Sequence, residues 1–146
     1  MMNEGRSCPM ITGIAHGAVT VKNMEESLRF YTEGLGFTKV FEINNPKDGA
    51  PWIVYLNVCK GQFIELFYDG VVENPWKPEL IGFNHFCFEV DDIFASCEKL
   101  KAAGYTLDIE PNQGCDYNMQ AWVTDPNGIR VELMQIDPRS PHAKYM

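Results

Sequence analysis

The chain has no apolar run approaching the ~20 residues a membrane-spanning helix needs. It is also short of positive charge, with 12 lysines and arginines against 20 aspartates and glutamates and a formal net charge of -8. The first lack excludes a spanning helix. The second disfavours phosphate backbones and anionic membrane surfaces, so neither nucleic acid nor membrane is an expected partner. Cysteine is sparse: five residues (Cys8, Cys59, Cys87, Cys97, Cys115), an odd number with no CxxC pair. That pattern suits neither a disulfide framework nor a thiolate zinc site, and points to free thiols in a reducing, cytoplasmic setting. Met1 to Met10 lacks an apolar signal region, and residues 1–11 read as a loose tail.

What is present is a repeat. At 146 residues and 45% hydrophobic, the chain is one ordinary globular domain or two half-size modules sharing a core. The stretch Ile14-Ala15-His16-Gly17-Ala18-Val19-Thr20-Val21 leads into an apolar stripe at Met24, Leu28 and Tyr31. An echo, Phe83-Asn84-His85-Phe86-Cys87-Phe88-Glu89-Val90, leads into Ile93, Cys97 and Leu100. An offset of 69 superimposes them, Val21 on Val90 and the cap candidate Asn23 on Asp92.

The first module, residues 12–70, reads βαβββ. A strand over 14–21 precedes a helix over about 24–32, capped by Asn23 with Glu26 three residues on. Gly34 and Gly36 stop that helix. Strands follow over 37–43, 52–58 and 62–68. Residues 71–82, with Pro75 and Pro78 and no periodicity, read as a linker. The second module, 83–137, repeats the order: a strand over 83–90, a helix from Asp92 to Gly104, a short strand over 105–109, a loop over 110–116, and strands over 118–124 and 129–136. Asp125-Pro126-Asn127-Gly128 is a type I turn signal before the last strand. Residues 138–146 read as a second tail.

Period-two alternation then assigns faces. Val19 and Val21 belong under the helix, so His16, Ala18 and Thr20 face the open side. Phe86, Phe88 and Val90 likewise leave His85, Cys87 and Glu89 on the open side. Ile64 and Leu66 are core-like, so Glu65 faces away; Val131 and Leu133 do the same for Glu132. The His-to-Glu spacings are 49 and 47 residues. Two related half-sheets thus each carry one histidine and one glutamate at equivalent points. The four converge if the modules pair face to face about a pseudo-two-fold axis.

Two imidazoles and two carboxylates form a mixed N/O donor set, better suited to Ni, Zn, Co, Mn or Fe than to Ca or Mg. Four protein ligands on a six-coordinate divalent ion leave two positions for water or substrate, the mark of a catalytic rather than a structural metal. Such a metal acts as a Lewis acid on a carbonyl or enediolate oxygen while Glu132 or Glu65 moves a proton at the adjacent carbon. Singly, a strand histidine is more often a hydrogen-bonded structural residue and a lone glutamate more often solvated. Two repeats carrying both in register favour the metal. His142, the remaining histidine, reads as a solvated tail residue.

These residues resemble the vicinal oxygen chelate superfamily, which holds glyoxalase I, methylmalonyl-CoA epimerase, extradiol dioxygenases and bleomycin-resistance proteins. The resemblance runs from about residue 10 to 137. Its carriers are His16 with Ser27-Leu28-Arg29-Phe30-Tyr31 and Leu35-Gly36-Phe37, then Phe63-Ile64-Glu65-Leu66, His85 with Glu89-Val90-Asp91-Asp92, and Asp125-Pro126-Asn127-Gly128 before Glu132-Leu133. It implies an α+β fold of two βαβββ modules forming a cup-shaped half-barrel around a divalent metal. The ligand set His16, Glu65, His85 and Glu132 is most similar to the bacterial glyoxalase I type.

Two departures bear on the substrate. The resemblance implies an arginine four residues after the first ligand and an asparagine four after the first glutamate, both gripping glutathione. Thr20 and Asp69 stand there instead, and each missing contact removes ~1.5–3 kcal/mol of binding. The expected activity is therefore a metal-dependent lyase or isomerase whose small oxygenated substrate need not be glutathione-linked. Phe63, Phe67, Thr20, Asp69, Gln120 and Trp122 are candidate substrate contacts, although the aromatics equally suit core or dimer packing. Two alternatives stand beside it: a non-catalytic small-molecule binding or resistance protein, and an iron-dependent extradiol-type dioxygenase. Open sheet faces favour a homodimer. The sequence leaves open whether His16 and Glu65 meet His85 and Glu132 of the same chain or of a partner.

Overall fold

Strand β1 (His16–Thr20) lies at one edge of a four-stranded sheet and pairs in parallel with β4 (Gln62–Phe67). Strands β3 (Pro51–Cys59) and β2 (Thr38–Asn44) continue the sheet antiparallel, in the order β1-β4-β3-β2. The second sheet repeats this with β5 (Phe86–Glu89), β8 (Arg130–Gln135), β7 (Met119–Thr124) and β6 (Ile109–Gln113), in the order β5-β8-β7-β6. Neither sheet closes into a barrel. The fold is α+β, two βαβββ modules as the repeat implies, in a computed structural model that describes residues 11–146. The expected tail at 1–11 and Cys8 thus fall almost wholly outside the described residues. No helix among them is long and apolar enough to cross a membrane.

Each module's first strand leads into a capped helix. The Asn23 side chain accepts from the Glu26 amide at 3.1 Å and opens α1 (Met24–Arg29). The Asp92 side chain accepts from the Ala95 amide at 2.9 Å and opens α2 (Ile93–Ala102). Both satisfy amide groups left without an intrahelical partner. The first helix does not run on as α-helix to residue 32. From Phe30 to Gly34 it widens to a π-helical turn, with the Leu35 amide bonded to the Phe30 carbonyl at 3.0 Å. The wider turn lets the neighbours Phe30 and Tyr31 both bury completely.

A second departure lies in the later module. The expected strand over 105–109 is irregular, and β6 instead occupies 109–113, inside the expected loop. Packing explains it. Tyr105 is held edge-on to Phe30, with ring centroids 5.0 Å apart, so its segment packs on the core rather than in the sheet. Pairing begins only where the Asp108 amide donates to the Trp122 carbonyl at 2.8 Å. Pro111 is tolerated because β6 is an edge strand and its register breaks between Ile109 and Asn112. Strand β5 is also shorter than its pattern, since pairing with β8 starts at Phe86.

One hydrophobic core serves both modules. Val19, Val21, Phe30, Tyr31, Leu56 and Leu66 from the first half join Ile93, Leu100, Val123 and Val131 from the second in one buried cluster. The helical segments meet closely: a Cβ on Gly34 would fall 2.9 Å from the Tyr105 ring. Strands β1 and β5 also approach, and a Cβ on Gly17 would fall 2.7 Å from Phe86. A polar latch spans the same joint. The Tyr31 hydroxyl donates to Asp125 Oδ2 at 2.9 Å, and Asn127 Nδ2 donates to Ser27 Oγ at 3.0 Å. Asp125 Oδ1 also accepts from the amides of Asn127 and Ile129, closing the Asp-Pro-Asn-Gly turn. Burial first, and then Asp125, holds the Tyr31 phenol well above its ordinary pKa.

At the C-terminal end, buried Asn118 accepts at Oδ1 from the Asp137 amide at 2.9 Å and contacts His142 Nδ1 through Nδ2 at 3.0 Å. Ser140 is buried, and residues His142–Lys144 form one 3₁₀ turn. His142 is thus exposed but hydrogen-bonded.

Replacing Tyr31 with Phe removes one bond from a buried carboxylate without opening a cavity. Chemical denaturation of Tyr31→Phe is expected to show a loss of about 1–2 kcal/mol. An unchanged midpoint would mean that the latch contributes nothing to joining the modules.

Candidate metal and substrate site

The parallel pairs β1–β4 and β5–β8 share one register. Ala18 lies opposite Glu65 and Cys87 opposite Glu132, so each glutamate faces the residue two beyond a histidine. Side chains two apart share a face, and the pairs close up as a result. His16 Nε2 lies 3.6 Å from Glu65 Oε1, and His85 Nε2 lies 3.1 Å from Glu132 Oε2. Both glutamates are only 5% exposed although both point away from the helical side. A buried carboxylate must be hydrogen-bonded, paired with charge or bound to a metal, which excludes the ordinary solvated role for both.

Around Glu65 the wall is aromatic. Tyr55 sits opposite it on β3, stacks on Phe41 with ring centroids 4.2 Å apart, and lies edge-on to His16. The hydrogen bond from its hydroxyl to Glu65 is the main cause holding the Tyr55 phenol above its ordinary pKa. Phe63 and Phe67 flank Glu65 on the same face of β4, each half-buried.

Around Glu132 the neighbours are more polar. Trp122 lies opposite it on β7, its ring centroid 4.7 Å from that of His85. The Cys87 thiol is pushed up to about 12, first by burial and then by the Glu132 charge. Gln120, on the same face, donates to Asn112 Oδ1 at 3.2 Å. Asn84 sets the state of His85. Its Oδ1 can only accept, so His85 Nδ1 donates to it, at 2.6 Å. A neutral His85 ring then presents a bare Nε2 to Glu132 Oε2. Two lone-pair donors facing one another at this range suit a proton or a cation between them. The donor chemistry of both pairs therefore fits a divalent N/O-ligated metal.

The two pairs remain apart. Among the described residues no three of His, Cys, Asp and Glu come together as a metal-binding group. The structure joins His16 to Glu65 and His85 to Glu132, but does not join the halves within one chain. Thr20 lies on the open face of β1 with His16, opposite Phe67, and Asp69 follows β4. Thr20, exposed, lines a cleft of about 370 Å³ with Lys22 and Asn127. Asp69 is exposed in a left-handed conformation at φ +68°.

Sequence reasoning placed Cys87 on the open face without giving it a role, and passed over three residues that the structure places here: Tyr55, Asn84 and Arg130. Cys87 shares the period-two face of His85, and Arg130 that of Glu132. Tyr55 lies between the core positions Val54 and Leu56. The alternation that revealed the glutamates also held these residues. Asn84 precedes its strand, and no periodicity reveals it.

Paired βαβββ modules with a histidine–glutamate couple on each open face define a class of cup-forming proteins. The sequence matches the Glyoxalase/Bleomycin resistance protein/Dioxygenase superfamily over residues 13–133. The chain belongs to that superfamily. It is 32% identical over 126 residues to a probable lactoylglutathione lyase of Vibrio cholerae, covering 84% of this chain and 89% of that one. A glyoxalase family protein from Enterococcus faecalis superposes with a TM-score of 0.73 at 25% identity, over 85% of this chain and 98% of the other. An antibiotic-binding protein from Streptomyces sp. CB03234 shares the fold, with a TM-score of 0.67 at 21% identity over 88% and 98% of the two chains.

The Cys87 environment gives a pH-dependent prediction. Its pKa is raised, so it stays a protonated, unreactive thiol until pH approaches the raised value. Cys59, Cys87 and Cys115 are all exposed at the surface, so the raised pKa alone is expected to make iodoacetamide at about pH 8 label Cys59 and Cys115 roughly a hundredfold faster than Cys87. Glu132→Gln removes a neighbouring negative charge and should speed labelling of Cys87, followed by peptide mass spectrometry. Equal rates at all three sites would contradict the geometry around Glu132.

Proposed function

We propose that the protein is a glyoxalase-like, metal-dependent lyase or isomerase, active as a homodimer on a small oxygenated substrate. The observation that carries this reading is the matched couple on each open face: a buried carboxylate beside a histidine, twice, with the same strand register. His16, Glu65, His85 and Glu132 would hold one divalent ion, with Ni, Zn, Co, Mn and Fe all suited to the donors. When bound, the metal supplies Lewis acidity that polarises a substrate carbonyl.

The chain's own residues supply the rest. Glu132 or Glu65, buried and close to its histidine, takes a proton from a carbon next to the carbonyl and returns it to the neighbouring carbon. Burial excludes competing water. Phe63 and Phe67 contribute apolar contacts, and Gln120 and Trp122 face the same space from the second module. Asn84 fixes the His85 ring. Because the couples do not meet within one chain, the complete donor set requires the open face of a second copy. The exposed Phe41 and Ile43 on the first sheet favour such pairing. The free thiols among the described residues, Cys59, Cys87, Cys97 and Cys115, fit a reducing cytoplasm.

Glutathione is not the expected carrier of the substrate. Thr20 lacks the cation for a carboxylate, and the Asp69 charge repels one. Residues 20 and 69 also lie outside the two couples. The relatives' printed name, lactoylglutathione lyase, includes glutathione, and the departures at residues 20 and 69 are the ground for setting it aside here.

The test is the metal content of protein purified without a metal-affinity tag, with Glu65→Gln and Glu132→Gln beside it. About one Ni, Zn, Co or Mn per chain, lowered in both variants, is expected. Stoichiometric iron lost only from Glu132→Gln would move the assignment to the ring-cleaving oxygenase. No metal in the parent, even after soaking with divalent ions, would leave the small-molecule binding protein.

A further inference from the structure

Arg130 sits two residues before Glu132 on β8, so the two share the open face at about 7 Å along the strand. Its guanidinium carbon lies 4.0 Å from the ring centroid of Trp76 and 4.3 Å from that of Trp122. One indole comes from the linker between modules and the other from β7. Two indoles therefore stand at cation–π distance from the guanidinium, and their contacts help orient the group. A guanidinium carries five N–H donors. One is engaged, with Nη1 donating to Asn84 Oδ1 at 3.4 Å. No other hydrogen bond from the Arg130 side chain occurs among the described residues.

The contrast with the other arginines decides its role. Arg29 pairs with Glu25 and Arg139 with Asp137. Arg130 has no carboxylate at ion-pair distance among the described residues, although the chain carries 20 acidic side chains. A cation that only braced the fold of so acidic a chain would be expected to find one of them. Beside Arg130 a cleft of about 190 Å³ opens, lined also by Asn74, Trp76, Leu80 and Asn84. Asn84 joins this cleft to the metal couple, since its Oδ1 serves both Arg130 Nη1 and His85 Nδ1.

The geometry points to Arg130 as the anion-recognition residue of the site, its free guanidinium edge receiving a carboxylate of the substrate. Two parallel N–H donors match the two oxygens of a carboxylate. The ~7 Å between Arg130 and Glu132 makes this carboxylate a remote handle, several bonds from the reacting carbon. The substrate class is thus a small organic acid whose anionic end lies over the second module. The inference deepens the enzymatic reading and rests on its placement of Glu132, but the binding it predicts can be measured without turnover.

Tryptophan fluorescence provides the readout, because Trp76 and Trp122 stand at cation–π distance from the guanidinium. The probes are phenylacetate and its neutral isostere phenylacetamide, applied to the full-length protein as purified and after treatment with EDTA. Phenylacetate is expected to give a saturable change at least roughly tenfold tighter than the amide, with or without EDTA. Arg130→Gln should abolish that preference, Arg130→Lys should retain part of it, and Arg29→Gln, on α1 and paired with Glu25, should leave it within about threefold. Circular dichroism checks that each variant folds; should Arg130→Gln not fold, the wild-type preference and Arg130→Lys decide alone. Equal binding of acid and amide by the parent, or an undiminished preference in folded Arg130→Gln, overturns the assignment. So does a preference that EDTA removes, since the metal would then hold the acid. A preference carried by Arg130 in a protein without bound metal would sustain this inference while the enzymatic reading fails.

Discussion

The site depends on the register of two parallel strand pairs. In each module the edge strand that opens the βαβββ unit lies against the strand that closes it, and the alignment puts a histidine beside a glutamate. A slip of one residue in either strand would turn its side chains to the opposite face, sending the histidine or the glutamate under the helix and the apolar residues to the open side. Val19 in β1, Val21 just after it, and Ile64 and Leu66 in β4 resist such a slip because they are buried on the helical side. Core packing and site geometry are thus set by the same alternation. The loops absorb the rest, so the His-to-Glu spacings can differ by two residues while the couples stay equivalent.

That dependence explains what could be read from the chain. The repeat, the caps at Asn23 and Asp92, and the faces of His16, His85, Glu65 and Glu132 all follow from periodicity and local chemistry. The π-helical turn at Phe30–Gly34 does not, because it answers the need to bury two adjacent aromatics. The position of β6 does not either. Tyr105 has strand-like character, and only its contact with Phe30 across the module joint withdraws it from the sheet. Tyr55 and Arg130 obeyed the same alternation as the glutamates, yet an aromatic or a cation on an open face has many roles in sequence. Each becomes specific only beside Glu65 or within reach of two indoles.

Under the proposed metal reading, one chain alone does not bring the four donors together. Each half supplies one imidazole and one carboxylate, and the shared core fixes the halves side by side through the Tyr31–Asp125 latch and the Gly17–Phe86 and Gly34–Tyr105 contacts. Converging the couples within one chain would require those contacts to break. A two-fold pairing of chains needs no such change, because it brings the first open face of one copy to the second open face of the other. Asymmetry between the halves then acquires a purpose: the first brings aromatic contacts around Glu65, and the second brings Asn84, Trp122 and Arg130 around Glu132.

The most direct test of this account is complementation between two inactive variants. His16→Ala and His85→Ala each remove one donor, on different sheets. Purified separately, each should lose most of its bound metal. Unfolded together and refolded as a 1:1 mixture, they should recover about one quarter of the parent's metal, because half of the dimers are mixed and each mixed dimer holds one intact site. Recovery near that level would place the site across two chains. A mixture that binds no more metal than its separate components, while forming mixed dimers, would contradict the account.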